Sequence, residues 1–283
     1  MYRFLIGIVG IGAMLFASSS ETNEIHAWQQ QRDAKLRAPD SWLTLVGLFW
    51  LKEGSNTIGS ADNNDFVLPK TAAAHAGTLR LEHKKVTYTD QQGKTRNLSF
   101  DENKPDVVKS GTVSFYVMQR GDKFAVRAKD SESPALRQFV GMRYFPVNAG
   151  LRFEAKFIPD PKKIPILNIV GQTQLEESPG IVEFSYQGQT YHLRPIYEDK
   201  TLFFLFKDAT NRTETYQAGR MLNTPLPKDG KVDLDFNRAY NPPCTFTPYA
   251  TCPLPPKENT LPFAVNAGEL RYGHGHPELT ARR

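Results

Sequence analysis

The sequence is poor in cysteine and in long hydrophobic runs, and both shortages limit what the protein can be. It has 2 cysteines in 283 residues, too few for a dense disulfide scaffold or a four-cysteine zinc site. After the first 16 residues no apolar run comes near the roughly 20 residues that a membrane-spanning helix needs. No Gly-x-Ser-x-Gly elbow, glycine-rich phosphate loop or His-Glu-x-x-His helix is present. The commonest classes of hydrolase, nucleotide-binding protein and metalloprotease, which these motifs define, are therefore excluded.

Runs of like charge are also missing. The formal net charge is +5, and the longest basic runs are the pairs Lys84-Lys85 and Lys162-Lys163. A protein that binds nucleic acid gathers basic residues on one face, with aromatic residues among them. We therefore predict no nucleic-acid partner. The weak positive balance favours anionic neighbours such as lipid headgroups or polyanionic envelope polymers.

The amino terminus has the order of a secretory signal peptide. Met1-Tyr-Arg3 gives a positive start, the residues from Phe4 to Phe16 are almost all apolar, and Ala17-Ser-Ser-Ser20 offers small residues for cleavage. We assign residues 1–20 to this peptide, with an uncleaved anchor as the alternative. No cysteine follows the apolar run, so a lipoprotein anchor is not indicated. We expect a periplasmic or extracellular protein with no transmembrane segment in the mature chain.

One helix is predicted, over residues 21–40, and its core is Glu21–Arg37. Ile25, Trp28, Arg32 and Leu36 recur at a spacing of three to four residues, which gives a narrow apolar stripe. Pro39 ends the helix because the residue before a proline avoids the α region. We interpret this element as a helix packed on the body of the protein.

The rest of the chain is predicted to be mainly β, in two parts. Residues 41–135 have short apolar runs, such as the strand predicted over Lys85–Thr89, separated by turn signals, which is typical of a β-sandwich. Residues 141–272 are predicted to form a second β-rich, Pro-rich domain, with strands that include Arg152–Ile158 and Ile164–Val170, and this domain carries the most distinctive sequence. The run Leu202–Phe206 has no alternation, so we expect a central strand buried on both faces. Residues 273–283 are predicted to be a flexible tail. In it His274-Gly-His276 could chelate a metal, but the simpler interpretation is that these side chains are solvated.

Part of the first half resembles the forkhead-associated domain. The residues that carry this resemblance are Asn56–Pro69 and Ala74–Leu79, with an Asn-Asp-apolar strand and His75. That family binds phosphothreonine on the loops of a β-sandwich. Here Ser60 stands where the phosphate-contacting arginine is expected, and Ala72 stands where the motif serine is expected. The resemblance therefore implies a similar fold without the phosphopeptide function.

A second resemblance covers more of the chain. Trp42–Leu51, Leu205–Thr210, Tyr216 with Gly219-Arg220, and the whole Asp235–Glu269 segment are similar to the bacterial and archaeal family of unknown function numbered 1684. The run Asp-Phe-Asn-Arg-Ala-Tyr-Asn-Pro-Pro-Cys at its start is the most specific part. The resemblance implies no activity, substrate or catalytic residue.

The two cysteines, Cys244 and Cys252, lie eight positions apart in this segment. An even number of cysteines in an exported protein favours a disulfide. A reactive thiol would need a nearby base and reducing conditions, and zinc would need two further ligands. We predict the disulfide, with the thiol and zinc sites as alternatives, and no metal or other cofactor.

The remaining candidates for a site are polar residues around the Pro-rich segment. Three carboxylates are candidate catalytic groups, because paired acids can do acid/base work on a glycosidic bond: Asp208, Asp235 and Glu269. Five neighbours are candidate ligand contacts: Arg194, Arg220, Asn237, Tyr240 and Asn241. The same groups could instead serve only to satisfy the backbone of a Pro-rich loop. The sequence thus predicts an exported protein that binds a small ligand or envelope polymer, with an envelope hydrolase as the alternative.

Overall fold

The computed structural model describes residues 18–101 and 104–273. Most of the predicted signal peptide and nearly all of the predicted tail, with His274 and His276, lie outside the described residues. Within those two ranges no helix is both long and apolar enough to cross a membrane. The fold is mainly β with one long helix near its start, which confirms the predicted fold class.

Helix α1 spans Ser19–Leu36, close to the predicted Glu21–Arg37. It begins two residues earlier because Ser18 and Glu21 form a capping box. The backbone N–H of Glu21 donates to Ser18 Oγ at 3.2 Å, and the backbone N–H of Ser18 donates to Glu21 Oε2 at 3.0 Å. Two donors that the helix itself leaves unpaired are thereby satisfied. Ile25 and Leu36 are buried against the body, as the apolar stripe predicts.

The first half contains nine strands: β1 Leu45–Trp50, β2 Gly54–Gly59, β3 Phe66–Val67, β4 Gly77–Glu82, β5 Lys85–Thr89, β6 Thr95–Asn97, β7 Val108–Ser110, β8 Val113–Arg120 and β9 Lys123–Asp130. They form a four-stranded sheet in the order β1-β9-β8-β7 and a five-stranded sheet in the order β3-β2-β4-β5-β6. Apolar residues of both sheets belong to one buried cluster, which includes Ile58 and Leu79 from one sheet and Phe115 and Val126 from the other. The two sheets therefore enclose one core, as in a sandwich.

A short helix α2, Pro134–Arg137, leads into the second half. Its strands are β10 Arg152–Leu167, β11 Thr173–Tyr186, β12 Gln189–Leu193, β13 Ile196–Glu198, β14 Thr201–Phe206, β15 Arg220–Pro225 and β16 Lys231–Asp235. They form two sheets, in the orders β12-β11-β10-β16 and β13-β14-β15. The described structure thus has two β-rich halves, each with its own main hydrophobic cluster.

Strand β14 is the central strand of its sheet and is buried on both faces, as predicted. Leu202, Phe204 and Phe206 point into the main cluster of the second half. Phe203 and Leu205 point into a separate cluster on the opposite face. Because both sets of side chains are covered, the strand needs no polar alternation.

Two strands that the sequence predicts, over 152–158 and 164–170, are one strand in the structure, which ends at Leu167 and not at residue 170. Strand β10 runs through Pro159 and Pro161 without ending. Its register against β11 shifts between Pro159 and Lys162, at a bulge or irregularity. A proline fits there because a bulge leaves a residue out of the regular hydrogen-bond ladder.

The loop between the two cysteines packs on the first half of the chain. Cys244, Ala250 and Cys252 form an apolar cluster with Trp42 and Leu45. The hydroxyl of Thr247 donates to the carbonyl oxygen of Leu45 at 3.1 Å. The proline-rich segment is therefore fixed to the N-terminal sandwich as well as to its own half.

Candidate functional site

The Asp235–Glu269 segment is irregular, as its prolines predict. After Asp235, which ends β16, it contains three short 3-10 turns, Phe236–Arg238, Pro243–Thr245 and Lys257–Asn259, and no strand. Cys244 and Cys252 form a disulfide, which confirms that prediction. Cysteines joined in this way offer neither a free thiol nor zinc ligands. Across the described ranges, no three His, Cys, Asp or Glu side chains are grouped so that they could hold a metal ion.

Asp208 and Arg220 form a fully buried ion pair that holds the end of this segment. Arg220 Nη2 donates to Asp208 Oδ2 at 2.8 Å, and neither side chain is exposed. The other carboxylate oxygen accepts from Thr210 Oγ1 at 2.6 Å and from the backbone N–H of Val265 at 3.2 Å. The guanidinium also donates to the carbonyl oxygens of Val265 and Ala267. Burial lowers the pKa of Arg220, and the charge of Asp208 opposes that effect.

Glu269 is paired with an arginine from helix α1. Arg32 Nε donates to Glu269 Oε1 at 2.8 Å, and the backbone N–H of Asn241 donates to Oε2 at 2.7 Å. The guanidinium of Arg32 lies 4.8 Å from the ring centroid of Tyr240. Burial by itself would lower the pKa of Arg32, but the charge of Glu269 and the hydrogen bond to it raise the pKa overall. The Asn241 side chain donates to the carbonyl oxygen of Leu270 at 2.8 Å, so it also fixes the segment.

The glycine before Glu269 is required by the close approach of two backbone segments. Gly268 has a φ of +78°, and a Cβ atom there would lie 2.4 Å from the carbonyl oxygen of Ala239. A side chain at this position would meet both backbone strain and a clash. The turn that brings Glu269 to Arg32 therefore depends on this glycine.

Asp235 has a weaker partner than the other two carboxylates. Its Oδ1 accepts from the backbone N–H and the side-chain amide of Asn237, at 3.0 and 2.8 Å. Its Oδ2 lies 3.5 Å from Arg238 Nε. Burial raises the pKa of Asp235, while the hydrogen bonds from Asn237 act in the opposite direction. Asn237 also exchanges hydrogen bonds with the backbone of Asn148, so it connects β16 to the start of the second half.

Arg194 lies apart from these groups. It forms an ion pair with Asp160 on β10, and its Nη1 donates to Ser178 Oγ at 3.3 Å. Its backbone is held by Asn259, whose Oδ1 accepts from the Arg194 N–H at 2.7 Å and whose amide donates to the Arg194 carbonyl at 2.9 Å. Arg194 therefore fixes β10, β11 and the Pro-rich segment to one another.

Tyr240 is the most accessible of the candidate ligand contacts, because it is half-buried whereas the other four are buried. Its hydroxyl donates to Asn223 Oδ1 at 2.5 Å. Burial and the nearby charge of Glu198 raise its pKa. A phenol in this setting stays protonated and serves as a hydrogen-bond donor.

The structure does not bring the three candidate catalytic carboxylates together. Asp208, Asp235 and Glu269 are each at most 6% exposed, and no two of them share a hydrogen-bond partner among the described residues. Acid/base hydrolysis needs two carboxyl groups that face the same substrate. This arrangement offers no such pair.

Two residues that hold the segment were missed in the sequence. Arg32 stands at a position that the helical pattern assigns to an apolar stripe, and its charge there was the signal that a buried partner exists. Asn259 lies between charged and polar neighbours and gave no signal. Its role depends on the separate strands that meet around it.

An open cleft lies beside the disulfide. Its lining includes both cysteines, Ile169 from the β10–β11 turn, Tyr216, and prolines of the segment. Its enclosed space is only about 10 Å³, close to the volume needed for one water molecule. A ligand at this place would therefore lie across the surface and could not be enclosed.

Comparison with known protein families gives a match in the second half of the chain. A family model described as a protein of unknown function, DUF1684, matches residues 137–270. The resemblance described from the sequence also included Trp42–Leu51, which lies outside the range that the family model matches. An uncharacterized protein of Haloarcula marismortui, solved by NMR in solution, is 31% identical. That match covers 48% of this chain and 80% of the other, with a TM-score of 0.41. No curated protein matches the chain. The chain belongs, through residues 137–270, to the DUF1684 family of proteins of unknown function.

Proposed function

We propose that this protein is exported to the periplasm or the outside of the cell. There it binds a small ligand or an envelope polymer on the outer surface of its Pro-rich segment. The disulfide supports export, because such bonds persist in oxidising compartments and are rare in the cytosol. The order of the first 20 residues supports it independently. The alternative of an envelope hydrolase has less support, because it needs an open pair of carboxylates.

The observation that carries the proposal is that every candidate carboxylate is enclosed and has an arginine beside it. Asp208 is held by Arg220, Glu269 by Arg32, and Asp235 lies near Arg238. Such groups hold a loop in one conformation, and a loop held in this way loses little freedom when it binds. In this proposal Arg194, Arg220, Asn237 and Asn241 position the segment, and Tyr240 is the one candidate contact left near the surface.

The binding surface in this proposal is the cleft beside the disulfide together with the tip of the β10–β11 hairpin. Three apolar residues at that tip are exposed: Leu167 at 46%, Ile169 at 47% and Val170 at 41%. The tip is fixed to the segment, since the Ile169 N–H donates to the Cys252 carbonyl at 3.0 Å and the Leu254 N–H donates to the Leu167 carbonyl at 2.7 Å. An apolar ridge beside a shallow cleft fits an extended partner better than a small enclosed ligand.

A binding assay with soluble peptidoglycan fragments and with alginate, an acidic polysaccharide, tests this proposal. We expect at least one probe to bind the wild-type protein, and Ile169→Asp to weaken that binding at least tenfold. Leu226→Asp is the matched control, because Leu226 is 44% exposed on a different turn. Equal weakening by both variants, or binding of no probe, would contradict the proposal.

Two further measurements separate the remaining parts of the proposal. Release of reducing ends from either probe, lost in Asp235→Asn, would support the hydrolase instead. Mass spectrometry of the protein purified from bacteria that express the full-length chain gives the mature amino terminus. Recovery of the uncleaved chain in the cytosol would contradict export.

A further inference from the structure

Arg127 differs from the other two buried arginines of the described chain. Arg194 and Arg220 each form an ion pair with a carboxylate, as the half-buried Arg32 also does. Arg127 is only 6% exposed, and among residues 18–101 and 104–273 it forms no ion pair. To the described residues its side chain makes a single hydrogen bond, from Nη2 to Thr251 Oγ1, which is long at 3.4 Å, and its Nε has no partner there. A buried charge is costly unless it is paired.

Arg127 lies where the N-terminal sandwich meets the disulfide loop. It projects from β9, its guanidinium carbon is 5.5 Å from the ring centroid of Trp42, and Thr251 belongs to the loop. Two further buried polar atoms have no partner among the described residues, and each belongs to a sequence neighbour of a residue that packs here. They are the hydroxyls of Ser41, which precedes Trp42, and of Thr245, which follows Cys244; Cys244 packs in the same cluster as Trp42.

A second cation stands beside Arg127 on the same face of β9. Lys129 is two residues away, so its side chain leaves the strand on the same side. Its Nζ lies 6.0 Å from the ring centroid of Tyr116 and donates to the carbonyl oxygen of Asp40. The neighbouring carboxylate of Asp130 leaves the strand on the opposite face, where it accepts from the hydroxyls of Thr71 and Thr112.

We propose that Arg127 is the centre of an oxyanion site at this seam, the contact between the N-terminal sandwich and the disulfide loop. Lys129 lies beside it, and Thr251 is a hydroxyl donor. The ligand group is a carboxylate or a phosphate, because the planar guanidinium fork matches both. Trp42, Tyr116 and Thr251 are half-buried, so the group enters from the edge of the seam. This site uses none of the residues of the cleft beside the disulfide, so it stands or falls separately from the proposed function.

Thermal unfolding in matched salts tests the site. Wild-type protein is compared in sodium phosphate, sodium galacturonate and sodium chloride at equal ionic strength. A ligand that binds only the folded protein should raise Tm by about 3–6 °C at ten times its dissociation constant. A rise in phosphate assigns the site to phosphate groups, and a rise in galacturonate assigns it to carboxylates.

Variants then connect any rise to Arg127. Arg127→Met keeps the apolar stem and should lose the rise, while its Tm in chloride should equal or exceed that of the wild type. Arg137→Met is the control, because it removes one positive charge from an exposed side chain. If Arg127→Met does not fold, Arg127→Lys replaces it, and a loss of at least fivefold in affinity is expected because lysine lacks the fork. No rise beyond that in chloride, or a rise that survives the Arg127 variant, would overturn the proposal and leave Arg127 as a packing residue.

Discussion

Arg32 of the first helix and Glu269 near the end of the described chain form an ion pair across 237 positions of sequence. The donor and acceptor atoms are 2.8 Å apart, and the glutamate side chain is completely buried. The pair fixes helix α1 to the Pro-rich segment. Because Asn241 donates to the other carboxylate oxygen, the helix and two parts of the segment meet at one side chain.

Loss of Arg32 should therefore be costly. Arg32→Met leaves the Glu269 carboxylate buried without its cation, and we expect the free energy of unfolding to fall by about 3–5 kcal/mol. Urea unfolding followed by circular dichroism measures the change. Arg152→Met is the control, because Arg152 pairs with Asp233 at an exposed position, where such pairs contribute about 1 kcal/mol or less. A loss below about 1 kcal/mol for Arg32→Met would show that Glu269 does not depend on its pair.

Asp208 and Arg220 should behave as one unit. Arg220→Met and Asp208→Asn each break the fully buried pair and should each cost about 3–5 kcal/mol. The double variant should cost clearly less than the sum, because it leaves no unpaired charge. A double-mutant cycle from urea unfolding gives the coupling free energy. Additive losses would mean that hydrogen bonds from the segment, and not the pairing of charges, hold this part together.

We expect Asp235 to give the protein a pH dependence whose sign follows from its burial. Burial raises its pKa in the folded state, so the folded protein binds this proton more tightly than the unfolded chain does. The contribution of this group to stability is complete below the unfolded pKa and is lost as pH rises through the folded pKa. Asp235→Asn should therefore be as stable as the wild type or more stable at pH 7.

Urea unfolding of the wild type and Asp235→Asn between pH 3 and pH 7 checks this expectation. The advantage of the variant should shrink as pH falls below about 4, where the wild-type carboxyl group is protonated in both states. The amide can still accept at Oδ1 from Asn237, so the hydrogen bonds are largely kept. A difference that grows in favour of the wild type as pH rises would mean that attraction to Arg238 outweighs burial.

Reduction of the disulfide should have a modest effect. Closing a loop of about nine residues is worth roughly 2.6 kcal/mol in loop entropy. Pro248 already restricts the open loop between the cysteines, so the measured loss should be smaller. Urea unfolding with and without reductant gives the value, and thiol labelling of Cys244 and Cys252 under denaturing conditions verifies the redox state. Equal labelling without reductant would contradict the disulfide.

Local signals in the sequence were enough for much of the fold. Turn residues and alternation predicted the strand Lys85–Thr89 with its observed bounds, and the absence of alternation predicted that β14 is buried on both faces. The prolines predicted an irregular segment after Asp235. These features depend on neighbours in sequence. Strand β10 was predicted as two strands, because whether a proline ends a strand or lies in a bulge depends on the partner strand.

The site could be predicted in part, because its residue types are visible but their partners are not. The sequence pointed to Asp208, Arg220 and Glu269 as groups that need explanation. It did not pair Glu269 with Arg32, because the two lie at opposite ends of the chain. The sequence showed Arg127 only as one of many scattered charges. In the structure, strand alternation places it beside Lys129, and an aromatic ring lies near each of the two: Trp42 near Arg127 and Tyr116 near Lys129.

The pairing of the first helix with the last part of the segment also sets an order of events during synthesis. Helix α1 leaves the ribosome long before Glu269 is made. At about 5–20 residues per second, the intervening 237 positions take roughly 10–50 s. During that time Arg32 lacks its partner Glu269, whereas Leu36 can already pack on Leu43 and Phe139. Helix α1 therefore stays incompletely fixed, and open to the machinery that handles unfolded chains, until the last part of the protein closes over it.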